Sequence, residues 1–183
     1  MSKARTTALQ NKARGRAFQT KLARMTGGIN IGTLGGEDIM HDEFSYEAKT
    51  YNPRAVTYKG KNWAGEGELT TTDDGLAANK MTVLRMTSLN FAPLYLIRFY
   101  WWKELLEGRV SKEELNDAVW YCRKERFVGN TYMNQAESNC PDGKLPIVVV
   151  HTTGKRHEND IVIIRGFYWE SVIEVHLPKL VDK

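Results

Sequence analysis

The chain has little cysteine, little proline and no long apolar run, and each shortage removes a class of protein. Two cysteines in 183 residues, Cys122 and Cys140, make no disulfide framework and lack metal-site spacing. Both read as reduced thiols of an intracellular protein. No apolar stretch approaches the ~20 residues of a membrane helix, and no signal peptide is read in the polar, basic N-terminus, so a cytoplasmic location is expected. Five prolines and fifteen glycines with no internal repeat exclude a collagen-like or low-complexity chain. Nucleotide motifs are missing too. The glycines between Gly27 and Gly32 lack the lysine and the preceding strand of a P-loop, and no dinucleotide fingerprint is present, so no nucleotide cofactor is expected.

Acidic residues are absent from the first 24 positions, which carry Lys3, Arg5, Lys12, Arg14, Arg16, Lys21 and Arg24 and a charge of +7. The remainder, with 19 basic and 22 acidic residues, carries −3. Residues 1–16 thus form a basic N-terminal arm on a near-neutral body. Such an arm is either a solvated tail or a contact for a polyanion, whose counterions are released on binding. Nucleic acid fits better than a membrane surface, because the segment has few large apolar residues.

The composition, 42% hydrophobic and 26% charged, supports one core and one domain over residues 1–183. Leu9, Phe18, Leu22 and Met25 give residues 8–25 a helical stripe, stopped by Gly27 and Gly28. Two strands follow around a polar turn, Asp38-Ile39-Met40 and Phe44 to Tyr51, the second alternating with Phe44, Tyr46 and Ala48 on one face. Pro53 to Lys80 reads as a long irregular loop, anchored by Trp63, and opens an insertion that runs to Arg126. Met81–Asn90 fits strand or helix. An aromatic-rich helix is expected over Leu94–Glu107, and the capping box Ser111-x-x-Glu114 opens another through Arg126. A short helix over Tyr132–Ser138 precedes two apolar strands, Pro146–His151 and Ile161–Phe167. Their unbroken β-branched runs predict strands covered on both faces. The order of elements predicts an α/β fold with a central mixed sheet flanked by helices, carrying a partly helical insertion over residues 53–126.

One constellation carries chemistry. Glu47 and Lys49, two apart on a strand, share a face about 6–7 Å apart. The hairpin can return Asp38 beside them. Two carboxylates with a strand carbonyl make a hard oxygen site of the kind Mg²⁺ prefers. A lysine beside it can orient a water and stabilise phosphorane-like charge, which suggests metal-assisted phosphodiester hydrolysis. The alternative is an exposed strand carrying an i, i+2 ion pair.

The segments Gly15-Arg16-Ala17-Phe18-Gln19, Gly35-Gly36-Glu37-Asp38-Ile39 and Tyr46-Glu47-Ala48-Lys49-Thr50 resemble the PD-(D/E)XK nuclease superfamily. Within it the likeness is to archaeal-type Holliday junction resolvases, including those carried by phages. A helix with Gln135, the run Leu145–Val150 and a second strand ending near Trp169 fit as well, so the resemblance spans about residues 10–52 and 130–172. It implies a restriction-endonuclease-like core and a DNA endonuclease of recombination or repair, working in the cytoplasm, or in the host's if phage-encoded. Asp38, Glu47 and the Ala48 carbonyl would bind Mg²⁺ (Mn²⁺ substituting) and Lys49 would serve the attacking water. Gln19 would stand where the family has a glutamate. Arg5, Lys12, Arg14, Arg16, Ser45, Lys155 and Arg156 are candidate DNA contacts. The cluster Tyr95, Phe99, Tyr100, Trp101 and Trp102 would stack on unpaired bases, or form core or a dimer surface. A homodimer would place two symmetric cuts in a four-way junction. The alternatives are a repair or restriction-type endonuclease acting on duplex DNA, and a non-catalytic DNA-binding protein with the same fold. His41 is a candidate base near Asp38, or a turn residue. His151 and His157 flank a basic turn that would either touch phosphate or stand in solvent.

Overall fold

The computed structural model describes residues 3–32, 36–51, 81–88, 90–116, 119–124 and 128–177. Gly35, Trp63 and the expected loop from Pro53 to Lys80 lie outside the described residues. Helix α1 (Lys3–Thr26) is followed by strands β1 (Ile29–Asn30), β2 (Ile39–Met40) and β3 (Phe44–Tyr51). Then come β4 (Val83–Ser88), β5 (Phe91–Arg98), α2 (Phe99–Leu106), α3 (Lys112–Asn116) and β6 (Val119–Lys124). Helix α4 (Val128–Asn139), β7 (Leu145–Thr152), a 3-10 turn (His157–Asn159), β8 (Ile161–Arg165) and α5 (Gly166–His176) complete the order.

All described strands belong to one mixed sheet ordered β1-β2-β3-β7-β8-β5-β4-β6. The pairs β3–β7 and β4–β6 are parallel and the rest antiparallel. The sheet is buried from both sides at its centre. Ile147, Val149, Val162 and Ile164 pack with Phe18 and Leu22 of α1, Trp102 of α2 and Trp169 of α5. Val148, Val150, Ile161 and Ile163 pack on the other face with Met133 and Ala136 of α4. That two-sided cover is what the unbroken β-branched runs demand. On the α4 side, Arg165 donates from Nε and Nη2 to both carboxylate oxygens of Glu137 at 2.6 and 2.9 Å, clamping α4 to β8.

Several elements differ from the sequence reading. The segment Leu94–Glu107 is strand first and helix second, dividing at Phe99. Leu94 and Leu96 face α4 while Tyr95 and Ile97 face the opposite core. A strand buried on both sides shows no polar alternation and looks in sequence like a helix buried all round. The capping box is real: Ser111 N donates to Glu114 Oε2 at 2.7 Å, and Glu114 N donates to Ser111 Oγ at 3.2 Å. It opens only the five residues of α3, because Val119 to Lys124 then pair in parallel with β4. Residues 81–124 therefore contribute three strands to the central sheet, besides two helices. The last strand ends at Arg165, and Trp169 lies on α5, one of its buried residues. Leu9, assigned to the apolar stripe of the first helix, is 56% exposed, since the N-terminal half of α1 projects past the sheet.

Candidate active site

The site begins where α1 ends. Gly27, at φ +74°, takes the left-handed conformation that closes the helix and turns the chain into β1. Phe18 and Leu22 bury one side of α1 in the core. Gln19, half-buried beside Phe18, is thereby directed to the hairpin of β2 and β3. Ile39 pairs with Tyr46 and Met40 with Ser45, and Asp38 N donates to Tyr46 O at 3.2 Å just before β2.

This places the Asp38 carboxylate on the edge of β3. Its Oδ2 accepts from Ala48 N at 2.8 Å, the peptide nitrogen that follows Glu47. Its Oδ1 accepts from Gln19 Nε2 at 2.7 Å. In an extended strand the N–H and C=O of one residue point to the same edge, so the Ala48 carbonyl shares the edge that Asp38 occupies. Gly32 leaves the room needed: a Cβ there would stand 2.9 Å from both Asp38 Oδ1 and Gln19 Nε2.

Glu47 and Lys49 lie on the α4 side of β3. Lys49 Nζ donates to Glu47 Oε1 at 2.6 Å and to Gln135 Oε1 at 2.8 Å, and sits 5.6 Å from the Tyr132 ring centre. Asn139 Nδ2 donates to Glu47 Oε2 at 3.5 Å, the outer limit of a hydrogen bond. Glu47 is only 4% exposed, so this face of β3 is covered by α4 and is no exposed strand with a surface ion pair. The fixed ammonium–carboxylate pair is shielded from water, where such charges interact more strongly than at a surface.

Burial raises the Asp38 carboxyl above its ordinary range, and the charge of Glu47 adds to the rise. The Ala48 N–H, Lys49 and Gln19 act in the opposite sense. Two carboxylates that oppose each other's ionisation in one recess form a place where a cation lowers the energy.

The structure thus brings Asp38, Glu47, Lys49, Gln19 and the Ala48 backbone together. Lys12 and Arg16 line, with Gly15, Gln19 and Gly32, an open groove of about 340 Å³ that meets the recess at Gln19. Arg14 does not. It borders a separate groove with Ala17, Phe18, Thr50, His151, Thr153 and His157. Arg156, at the β7–β8 connection, borders a third groove and pairs with Glu158 at 3.5 Å. Lys155 is exposed in the same connection. The Arg5 side chain lies outside the described residues.

One assignment is corrected and two open alternatives are decided. Ser45 is only 3% exposed, so it offers nothing to a phosphate. Phe99, Trp101 and Trp102 are buried, Trp102 fully, and are core rather than a platform for bases. His41 stacks on Phe44 with centroids 5.5 Å apart and accepts from Glu43 N at 3.2 Å, a turn-capping role away from Asp38. Asn139 and Tyr132 were not read from the sequence. With Gln135 they fall at i, i+3 and i+7 of α4, a spacing that puts all three on one helix face. The chain matches no family model, no curated protein and no solved structure.

Proposed function

We propose that the chain is a metal-dependent endonuclease that hydrolyses DNA phosphodiester bonds, with a restriction-endonuclease-like core of the PD-(D/E)XK kind. One observation carries this reading: the Asp38 carboxylate seated on the Ala48 peptide, between Glu47 and Lys49, with Gln19 holding it from α1.

The donor set fits the Mg²⁺ that the resemblance implies. It is all oxygen, it includes two mutually repelling carboxylates, and among the described residues the hydrogen-bond partner of Glu47 Oε2 is the distant Asn139 amide. Asp38, Glu47 and the Ala48 carbonyl would hold the ion, which when bound would polarise a phosphoryl oxygen and acidify a water. The chain's own groups do the rest. Lys49, fixed by Glu47 and Gln135, presents a positive charge where charge develops on the phosphorus centre, and orients the water. Gln19 keeps Asp38 from rotating. Lys12 and Arg16 hold the DNA backbone beside the recess.

The finer reading is a resolvase of four-way junctions acting as a homodimer, with selectivity from branch geometry and deformability. It is tested with Mg²⁺ and four substrates: junction, flap, linear duplex and single strand. Paired symmetric nicks in the junction support it. Equal cutting of linear duplex removes the resolvase assignment and keeps the nuclease. Gln19 favours a second reading, a DNA-binding protein with lost catalysis: its amide donates a hydrogen bond to Asp38 where a glutamate would add a negative charge. Salt-dependent binding with every substrate left intact would select that reading.

A further inference from the structure

On the opposite face of β7 from Val148 and Val150, a second cluster stands apart from the acidic recess. Asp160, with no exposed side-chain surface, faces His151 Nδ1 at 2.7 Å through Oδ1 and His157 Nδ1 at 3.0 Å through Oδ2. The imidazoles lie 4.2 Å apart between centroids. Phe18 of α1 stacks on both, at 5.2 and 5.6 Å. Among the described residues, the ion-pair partners of Asp160 are these two histidines.

We propose that His151, His157 and Asp160 form a site for a borderline divalent cation of the zinc class, distinct from the Mg²⁺ recess and independent of the nuclease reading. Each residue offers one ligand atom, and these lie within 4.8 Å of one another. Two ligands on a tetrahedral zinc at about 2.0–2.1 Å stand roughly 3.3 Å apart, so the N–O contacts, 2.7 Å to Oδ1 and 3.0 Å to Oδ2, open by a few tenths of an ångström, and the other ligand-atom separations, within 4.8 Å, close by up to about 1.5 Å. Two imidazole nitrogens and one carboxylate select zinc or cobalt over magnesium, which prefers oxygen alone.

The frame is already built. Asp160 N donates to His157 O at 3.0 Å, Phe99 N donates to Asp160 O at 2.8 Å, and Lys155 N donates to Thr152 O at 3.0 Å. These bonds hold the β7–β8 connection in place, so binding needs little ordering of chain. Three protein ligands leave a fourth position for water, and His151 and His157 border the groove of about 220 Å³ that also contains Arg14 and Thr50. Among the described residues that line the groove, Arg14 carries a fixed positive charge, which favours an anion beside the metal. On binding, any proton carried by each ligating nitrogen is released to solvent.

The test uses the full chain, stripped of metal and held in excess Mg²⁺ so that the acidic recess is filled. Zn²⁺ is titrated calorimetrically, and Co²⁺ is added separately as an optical reporter. The expected result is one equivalent of Zn²⁺ and the visible bands of four-coordinate Co²⁺. His157→Gln, at a position 32% exposed, and His151→Gln should each weaken binding by at least about tenfold, the lower bound seen even for lost outer-shell partners. Circular dichroism confirms that each variant is folded, and Glu47→Gln should leave Zn²⁺ binding unchanged. No Zn²⁺ uptake, or uptake indifferent to His157→Gln, overturns the proposal. So does uptake abolished by Glu47→Gln, which would assign the ion to the recess.

Discussion

Asp38 is pulled in two directions, and the balance has a measurable consequence. Burial and Glu47 favour its protonated form, while the Ala48 N–H, Lys49 and Gln19 favour the carboxylate. The net rise means that the folded state binds this proton more readily than the unfolded chain does. Stability contributed here is therefore present at low pH and is lost as pH rises from the ordinary carboxylate value through the raised one. Asp38→Asn removes the charge and keeps the shape, with the Gln19 amide free to turn over. It should melt above wild type at pH 7 in EDTA, and the difference should close as pH falls through the carboxylate range. If the proposed Mg²⁺ site holds, excess Mg²⁺ should raise the melting temperature of the wild type and not of the variant, which lacks one of the two carboxylates that would hold the ion. Identical melting curves at pH 7 would show that the recess carries no electrostatic penalty. The other carboxylate tests catalysis: Glu47→Gln should lower cleavage by more than about 100-fold, since even outer-shell losses reach that size. Its DNA binding in EDTA should be intact. Cleavage at the wild-type rate would dismiss the site.

Among the elements, stability is concentrated where the sheet is covered twice. Trp102 fills the space between α2 and β3, fully buried, with its Nε1 donating to Tyr46 Oη at 3.4 Å. Trp102→Ala should destabilise the fold by about 3–5 kcal/mol in urea unfolding, through lost burial and the cavity left behind. Ser111→Ala acts at an end and should cost about 1 kcal/mol. A ranking in the reverse order would mean that α3 matters more to the fold than the aromatic core. These two sites also show what a sequence can reveal. The capping box is local chemistry and was readable, as were the Ile147–Val150 and Ile161–Ile164 runs, because burial on both sides leaves its mark on every residue. The extent of α3 and the division at Phe99 were not readable, since they depend on which distant strand offers an edge: β4 to β6, and β8 to β5. The acidic recess follows the same rule. Asp38, Glu47 and Lys49 sit on one hairpin and could be placed by alternation and a turn. Asn139 and Asp160 act through neighbours supplied by the parallel β3–β7 crossover and the β7–β8 connection.

Over the whole molecule, charge is placed rather than merely summed. Helix α1 carries the excess positive charge of a chain that is slightly acidic elsewhere, and it projects beyond the sheet from the same turns that deliver Gln19 to Asp38. Its cations divide by helical spacing into separate tracks. Lys12 and Arg16 are one turn apart and lead to Gln19, whereas Arg14 is one turn before Phe18 and overlooks His151 and His157. If DNA is cut at Asp38 and Glu47 as proposed, it must run along the first track, because its backbone has to pass the recess. Each phosphate neutralised there releases counterions and adds about 0.9 to the slope of log affinity against log salt. The double variant Lys12→Ala/Arg16→Ala should therefore flatten that slope by about 1.8, while Arg14→Ala should change it by much less. Measured by fluorescence anisotropy across a salt series, the opposite ranking would put the DNA on the histidine side of α1. The acidic recess would then face away from the strand it is proposed to cut.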